Sequence, residues 1–127
     1  MIPQAYVTLL SKLLERTKAD DVNWREAAKD TFAVDFESFT LALASYFDSD
    51  QDPTVGVNLR NATGSVIDAF EVWESLDEDE YRLVYELFTL ARRKALKIDR
   101  ALDALARALD APTPIGVPED PGEEIPF

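Results

Sequence analysis

The sequence predicts an α+β fold in which a four-stranded antiparallel meander packs against an N-terminal helix and a C-terminal helical segment. Two observations support this prediction. In residues 31–72, apolar residues alternate with polar or small ones, and turn-forming residues fall at regular intervals, which is typical of strands with one buried face. On either side, apolar residues recur at helical spacing. Such helices can cover the apolar face of a sheet.

The first helix is predicted to span residues 3–18. Pro3 suits the first turn of a helix, where a missing N–H costs no hydrogen bond. The apolar residues of this segment share one helical face: Tyr6, Leu9, Leu10, Leu13 and Leu14. Beyond it, residues 22–24 are compatible with a short strand. Residues 25–30 are ambiguous, since their helix formers are too few to stand alone.

Three clean alternations and one less regular run define the predicted strands. The inward-facing residues of the first three are Phe32, Val34 and Phe36, then Phe39, Leu41 and Leu43, then Val55, Val57 and Leu59. In the fourth run, residues 65–72, Ile67 and Ala69 compete with Val66, Phe70 and Val72 for the inward face. The sequence does not decide which set faces inward. Gly64 closes the preceding N-A-T-G sequence, which predicts a hairpin turn.

Residues 78–109 contain neither proline nor glycine, and they predict the C-terminal helical segment. Asp77 and Glu80 have the spacing of a capping box, and Leu76 is placed to staple against Tyr81. A continuous apolar stripe then follows at steps of four and three: Val84, Phe88, Ala91, Ala95, Ile98, Leu102, Leu105 and Leu109.

Two interpretations of residues 78–109 fit the stripe. The segment is one helix, about 48 Å long, or two helices that break near Lys97 and restart with Asp99 as N-cap. We favour the break, because a single helix of that length would overhang a small sheet. A dimer would cover such an overhang.

Length and composition predict the domain organisation and the class of partner. The chain has 127 residues, 25 of them acidic and 13 basic, with a net charge of −12 and neither histidine nor cysteine. This length predicts one domain, residues 1–110, followed by a flexible acidic tail, residues 111–127. The charge disfavours direct binding to nucleic acid and favours a protein partner with a basic surface.

The sequence lacks the side chains that most enzyme mechanisms use. Without histidine or cysteine, imidazole bases, thiol nucleophiles, Ser-His-Asp triads and His/Cys zinc sites are excluded,. There is also no glycine-rich phosphate loop,. We therefore predict a protein that is not an enzyme and uses no cofactor or metal. The sequence lacks a secretory signal and a membrane-length apolar run, so we expect it to be cytoplasmic and not bound to a membrane.

A basic cluster lies near the predicted helix break. It contains five bases within nine residues: Arg92, Arg93, Lys94, Lys97 and Arg100. One interpretation is a solvated helix face, with cations favoured near a helix C-terminus. The other is an anion-binding patch, for which the acidic tail of the same chain is a candidate ligand.

The last five residues, Glu123, Glu124, Ile125, Pro126 and Phe127, have the chemistry of a docking peptide. Burying Phe127 in an apolar pocket contributes about 2 kcal/mol, and its terminal carboxylate can pair with a basic residue at the rim. Ile125 adds apolar contact, Pro126 lowers the entropy of ordering, and the acids steer the segment toward a basic surface. A contact of this size has an affinity of micromolar order, about −8 kcal/mol at most.

This ending resembles the C-terminal tip of bacterial single-stranded-DNA-binding protein, which ends in acids followed by Ile-Pro-Phe. The resemblance implies binding to helicases, nucleases or recombination mediators that recognise that tip. It departs from the family in having glutamates in place of aspartates, a short linker and a body that is not a basic OB barrel. The alternatives are a merely solubilising tail, or an acidic inhibitor such as an immunity protein, antitoxin or nucleic-acid mimic, acting through the folded surface.

The body also resembles small bacterial proteins of unknown function. The similar segments are L-L-E-R-T-K followed by Trp24, T-F at the start of the strands, S-V-I-D-A-F, and E-L-F-T-L-A-R-R-K-A-L-K-I-D-R-A-L. This resemblance implies the arrangement of helix, meander and helices, and it implies no activity.

Overall fold

The computed structural model describes residues 2–117. In this part of the chain, one antiparallel sheet with its five strands in sequential order is preceded by one helix and followed by two. The elements are α1 (Gln4–Lys18), β1 (Trp24–Ala28), β2 (Thr31–Asp35), β3 (Phe39–Phe47), β4 (Pro53–Asn61), β5 (Val66–Trp73), α2 (Glu78–Ala95) and α3 (Ile98–Asp110). The predicted α+β class is confirmed, and the predicted number of strands was one too few.

The strand left out of the predicted four is β1, at one edge of the sheet, which begins in the possible short strand of residues 22–24 and continues through ambiguous residues. It pairs with β2, with Trp24 opposite Val34. Trp24 is buried, whereas the other four residues of the strand are exposed. A strand with a single buried residue has no period-two pattern. Its pairing with β2 therefore overrides the helical propensity of its residues.

The core lies between one face of the sheet and the helices α1 and α2. The buried strand residues on this face are Phe32, Val34, Leu41, Leu43, Val55, Val57 and Val72. Phe36 and Phe39, predicted to face inward, are 49% and 46% exposed, because they flank the turn between β2 and β3. In β5 the inward set runs through Phe70 and Val72, while Val66 and Ile67 are exposed.

The predicted hairpin turn joins β4 to β5. Gly64 has a φ of 87°, a conformation that glycine adopts without steric cost. The side-chain oxygen of Asn61 accepts hydrogen bonds from the backbone N–H of Thr63 at 3.1 Å and of Ser65 at 3.0 Å. These bonds satisfy the polar backbone of the turn locally.

Thr17 ties the end of α1 to β1 through a buried hydroxyl. This hydroxyl donates to the carbonyl oxygen of Leu13 at 2.8 Å and accepts the indole N–H of Trp24 at 3.1 Å. Thr17 itself is fully buried. The hydroxyl therefore satisfies an indole N–H that water does not reach.

Replacing Thr17 with valine is expected to lower the free energy of unfolding by about 1–3 kcal/mol, because the Trp24 indole loses its acceptor inside the core. The measurement is urea denaturation. In a Trp24→Phe background, which has no indole, the same replacement should cost less than about 1 kcal/mol. Equal losses in the two backgrounds would mean that the bond to Trp24 is not what stabilises this contact.

The start of α2 differs from the predicted capping box and staple. The Asp77 carboxylate accepts a hydrogen bond from the backbone N–H of Trp73 at 3.2 Å, and no side-chain bond caps the helix. The Glu80 carboxylate instead accepts the backbone N–H of Ile2 at 2.5 Å, so it ties the N-terminal segment to α2. Leu76 is 77% exposed, and the predicted staple to Tyr81 is therefore wrong.

The helical segment breaks at Lys97, as we favoured. The N-cap of α3 is Lys97 itself, with φ 55° and ψ 42°, and not Asp99. The apolar stripe divides at this break: its residues in the first part of α2 are buried, whereas no residue of α3 is buried. α3 contacts α2. Within the described residues no helix, α3 included, is long and apolar enough to cross a membrane.

Candidate anion-binding cleft

The break between α2 and α3 brings basic side chains from two helices together. The backbone N–H of Leu96 bonds the carbonyl oxygen of Arg92, and that of Lys97 bonds the carbonyl oxygen of Lys94. Lys97 then takes a left-handed conformation, which redirects the chain into α3. Bases of the last turn of α2 and the first turn of α3 thereby meet on one side of the junction.

Four of the five predicted bases line a cleft at this junction. The cleft has a volume of about 380 Å³, and the connection between α1 and β1 forms its other wall. Its lining includes Arg93, Lys94, Lys97 and Arg100 from the helices, and Asp20, Val22, Asn23 and Trp24 from the opposite side. The predicted clustering of these four bases is therefore present in three dimensions.

The fifth base, Arg92, lies outside the cleft. It lines a separate depression, where Asp30, Phe47 and Tyr85 also lie. Arg92 and Arg93 are neighbours in a helix, and neighbouring helical residues point about 100° apart. The structure therefore separates Arg92 from the patch in which the sequence grouped it.

Two acids within the cleft neutralise part of its charge. The ammonium of Lys94 lies 3.2 Å from a carboxylate oxygen of Asp20, and the guanidinium of Arg93 pairs with Asp99. Among residues 2–117, Lys97 and Arg100 have no ion-pair partner. The cleft thus keeps a net positive charge on a chain whose total charge is −12.

The bases of the cleft that are unpaired within residues 2–117 can bind an anion weakly. Exposed ion pairs contribute at most about 1 kcal/mol each, so Lys97 and Arg100 together favour a carboxylate or another anion only modestly. Among residues 2–117, no group of three or more metal-ligating side chains is placed to hold a metal ion. The arrangement can attract and orient an acidic segment that also makes contacts elsewhere.

Sequence reasoning missed the wall formed by the connection after α1. Asp20 and Trp24 are more than 65 residues away from the basic cluster in the chain, and only the packing of α1 and β1 against α2 brings them near. The predicted docking residues, Glu123, Glu124, Ile125, Pro126 and Phe127, lie outside the described residues, and their role stays a prediction.

Comparison with known proteins provides no relative for this chain. No family model, curated protein or solved structure matches it.

Proposed function

We propose that this chain is a non-enzymatic interaction protein whose C-terminal segment, Glu123–Phe127, docks on proteins that bind the tip of single-stranded-DNA-binding protein. Its partners are basic-surfaced helicases, nucleases or recombination mediators of DNA maintenance. Binding either recruits the folded body to such an enzyme or competes with the natural tip. The chain itself binds neither nucleic acid nor a membrane.

The exposed apolar face of α3 is the observation that supports a role in binding. Leu102, Leu105 and Leu109 are 50%, 60% and 69% exposed, and all the residues from 111 to 117 are exposed as well. A soluble domain gains nothing in stability from a stripe of leucines that remains in water. Such a stripe, on the helix that precedes residues 111–127 in the sequence, favours an interface in this part of the chain.

The direct test is a competition assay, monitored by fluorescence anisotropy, for a tip receptor, which is a protein that binds the tip of single-stranded-DNA-binding protein. A labelled single-stranded-DNA-binding-protein tip peptide is bound to a tip-binding helicase or recombination mediator, and unlabelled protein is added. The intact chain is expected to displace the peptide at micromolar concentration, and a version that ends at Ile125 is not. Displacement by neither version would contradict the proposal.

Replacing Leu105 of α3 with glutamine is expected to change the free energy of unfolding by less than about 0.5 kcal/mol, because its side chain is already in water and glutamine is a good helix former. The matched control is Leu87→Gln in α2, where the side chain is fully buried. That replacement should cost several kcal/mol. Urea denaturation at two protein concentrations provides the measurement. A large loss at Leu105 that shrinks on dilution, because the original protein itself becomes less stable, would show instead that a dimer covers α3.

A second candidate function is an acidic inhibitor that acts through the folded surface. It is favoured by the pairing of bases with acids in the body. For example, Lys18 lies 3.3 Å from Glu86, and Arg25 lies 2.7 Å from Asp35. Because these bases are paired with acids, the remaining acidic side chains of the body are available to bind a basic partner. Such binding would survive loss of Phe127 and weaken when acids of the body are replaced with lysine.

A further inference from the structure

Exposed apolar and aromatic side chains gather where β5 leads into α2. Leu76, in this connection, is 77% exposed, and Tyr85 on α2 is 44% exposed. The rings of Tyr81 and Tyr85 stack with their centroids 5.4 Å apart and an angle of 11° between their planes. Tyr81 is buried, so the exposed apolar surface of this region comes mainly from Leu76 and Tyr85. Exposed apolar side chains that share one surface often mark an interaction site.

Two adjoining depressions shape this surface. The first, of about 650 Å³, contains Pro53, Trp73 and Leu76 in its lining, and the second, of about 730 Å³, contains Tyr81 and Tyr85. Ser75 lines both depressions. We call the two together the Leu76–Tyr85 surface.

The rim of the Leu76–Tyr85 surface is acidic. Asp48, Asp50 and Asp52 line the first depression, and Glu74 and Glu78 line the second. Arg82 also lines the second depression, but its guanidinium pairs with Glu78 at 3.1 Å. An apolar centre with a negative rim fits a ligand that is apolar in the middle and positively charged around it.

Hydrogen bonds fix the acidic loop before any ligand arrives. The Asp48 carboxylate accepts the backbone N–H groups of Asp50 and Asp52, both at 2.9 Å. The Ser75 hydroxyl bonds the Asp52 carboxylate, which joins this loop to the connection between β5 and α2. A surface ordered in advance loses less entropy on binding.

We propose that the Leu76–Tyr85 surface binds a basic peptide segment of a partner protein. An aliphatic or aromatic side chain of the peptide occupies the depression beside Trp73 and Leu76. Lysine or arginine residues on either side pair with Asp50 and Glu74.

Charge complementarity favours a basic peptide over nucleic acid or a second copy of this chain as the ligand of the surface. Nucleic-acid phosphates are repelled by the rim, and two copies of this surface would place like charges against each other. The inference is independent of the proposed function, since it concerns a surface of the folded body and not the C-terminal segment.

The test is selection of a random 12-residue peptide library against the full-length protein, followed by affinity measurements on the enriched peptides. We expect enriched peptides to carry an aliphatic or aromatic residue with lysine or arginine within three positions. Leu76→Ser should weaken their binding at least about fivefold. Leu109→Ser, at a leucine that is 69% exposed on α3, should leave it within about twofold.

A second pair of variants tests the charge. Glu74→Lys should weaken binding by about threefold or more at low salt, whereas Asp103→Lys, which makes the same charge change on α3, should change it less. Enriched peptides that lack basic residues, or that bind the Leu76→Ser variant as well as the original, would overturn the inference. So would a protein that sediments as a dimer at the assay concentration and dissociates when peptide is added, since a second copy would then be the occupant.

The chain that ends at Ile125 separates this inference from the proposed function. It should bind the selected peptides as tightly as the intact chain does, while losing affinity for a tip receptor. Loss of peptide binding with the tail would overturn the Leu76–Tyr85 assignment and leave the proposed function standing. Unchanged binding to the tip receptor would contradict the proposed function alone.

Discussion

Replacing Phe32 with alanine is expected to lower the free energy of unfolding by about 3–5 kcal/mol. Phe32 is 1% exposed and lies on the inward face of β2. Its ring meets that of Phe88 on α2 edge to face, with the centroids 5.5 Å apart. The replacement removes this contact and leaves a cavity between the sheet and its covering helix, which the surrounding side chains fill only in part.

Phe36 is the matched control for Phe32. It is the same residue type four positions later, but it is 49% exposed, and its replacement with alanine should cost less than about 1 kcal/mol. Urea denaturation of the two variants measures the difference. If Phe32→Ala does not fold, Phe32→Leu should still give an intermediate loss. Equal losses at Phe32 and Phe36 would show that the difference in burial between these two positions is wrong.

The sheet was the most predictable part of the fold. Alternation placed Phe32, Val34, Leu41 and Leu43 on the buried face because neighbouring strands impose the same period of two on every pair. The prediction failed where strands end, as at Phe36, since side chains beyond the last paired residue have no cover.

The edge strand β1 and the end of α3 were less predictable for another reason. The local sequence of each segment does not determine which other elements it packs against. The apolar stripe continues unbroken from Phe88 to Leu109, yet burial stops where the sheet and α1 stop. The break itself depends on Lys97 in a left-handed conformation, for which glycine or asparagine is the usual signal.

The candidate cleft was predicted in part. Arg93, Lys94, Lys97 and Arg100 are close in sequence and therefore close on adjoining helical turns. Their nearness to Asp20 depends on how α1 and β1 pack against α2, and no local pattern encodes that packing. The position of Leu76 was not predictable for the same reason. The sequence predicted a hydrophobic staple with Tyr81, but the connection between β5 and α2 holds the Leu76 side chain outward.

Removing Phe127 is expected to weaken binding to a tip receptor by about 30-fold or more, since burying its ring contributes about 2 kcal/mol. Its carboxylate would add to this through a charge-assisted bond. The competition is run with the intact chain, a chain that ends at Pro126, and a Phe127→Ala chain. The alanine variant keeps a terminal carboxylate at the same position, so it reports on the ring, and its difference from the chain that ends at Pro126 reports on the position of the carboxylate.

Two controls complete this measurement. A chain in which Glu123 and Glu124 are both replaced with glutamine should bind more slowly and depend less on salt, because these acids act mainly by steering. Urea denaturation curves of all the variants should coincide, which would show that the loss of affinity arises from the docking segment and not from the fold. Equal competition by the intact chain and by the one that ends at Pro126 would make the tail a solubilising segment. The acidic surface of the folded body would then be the place where partners bind.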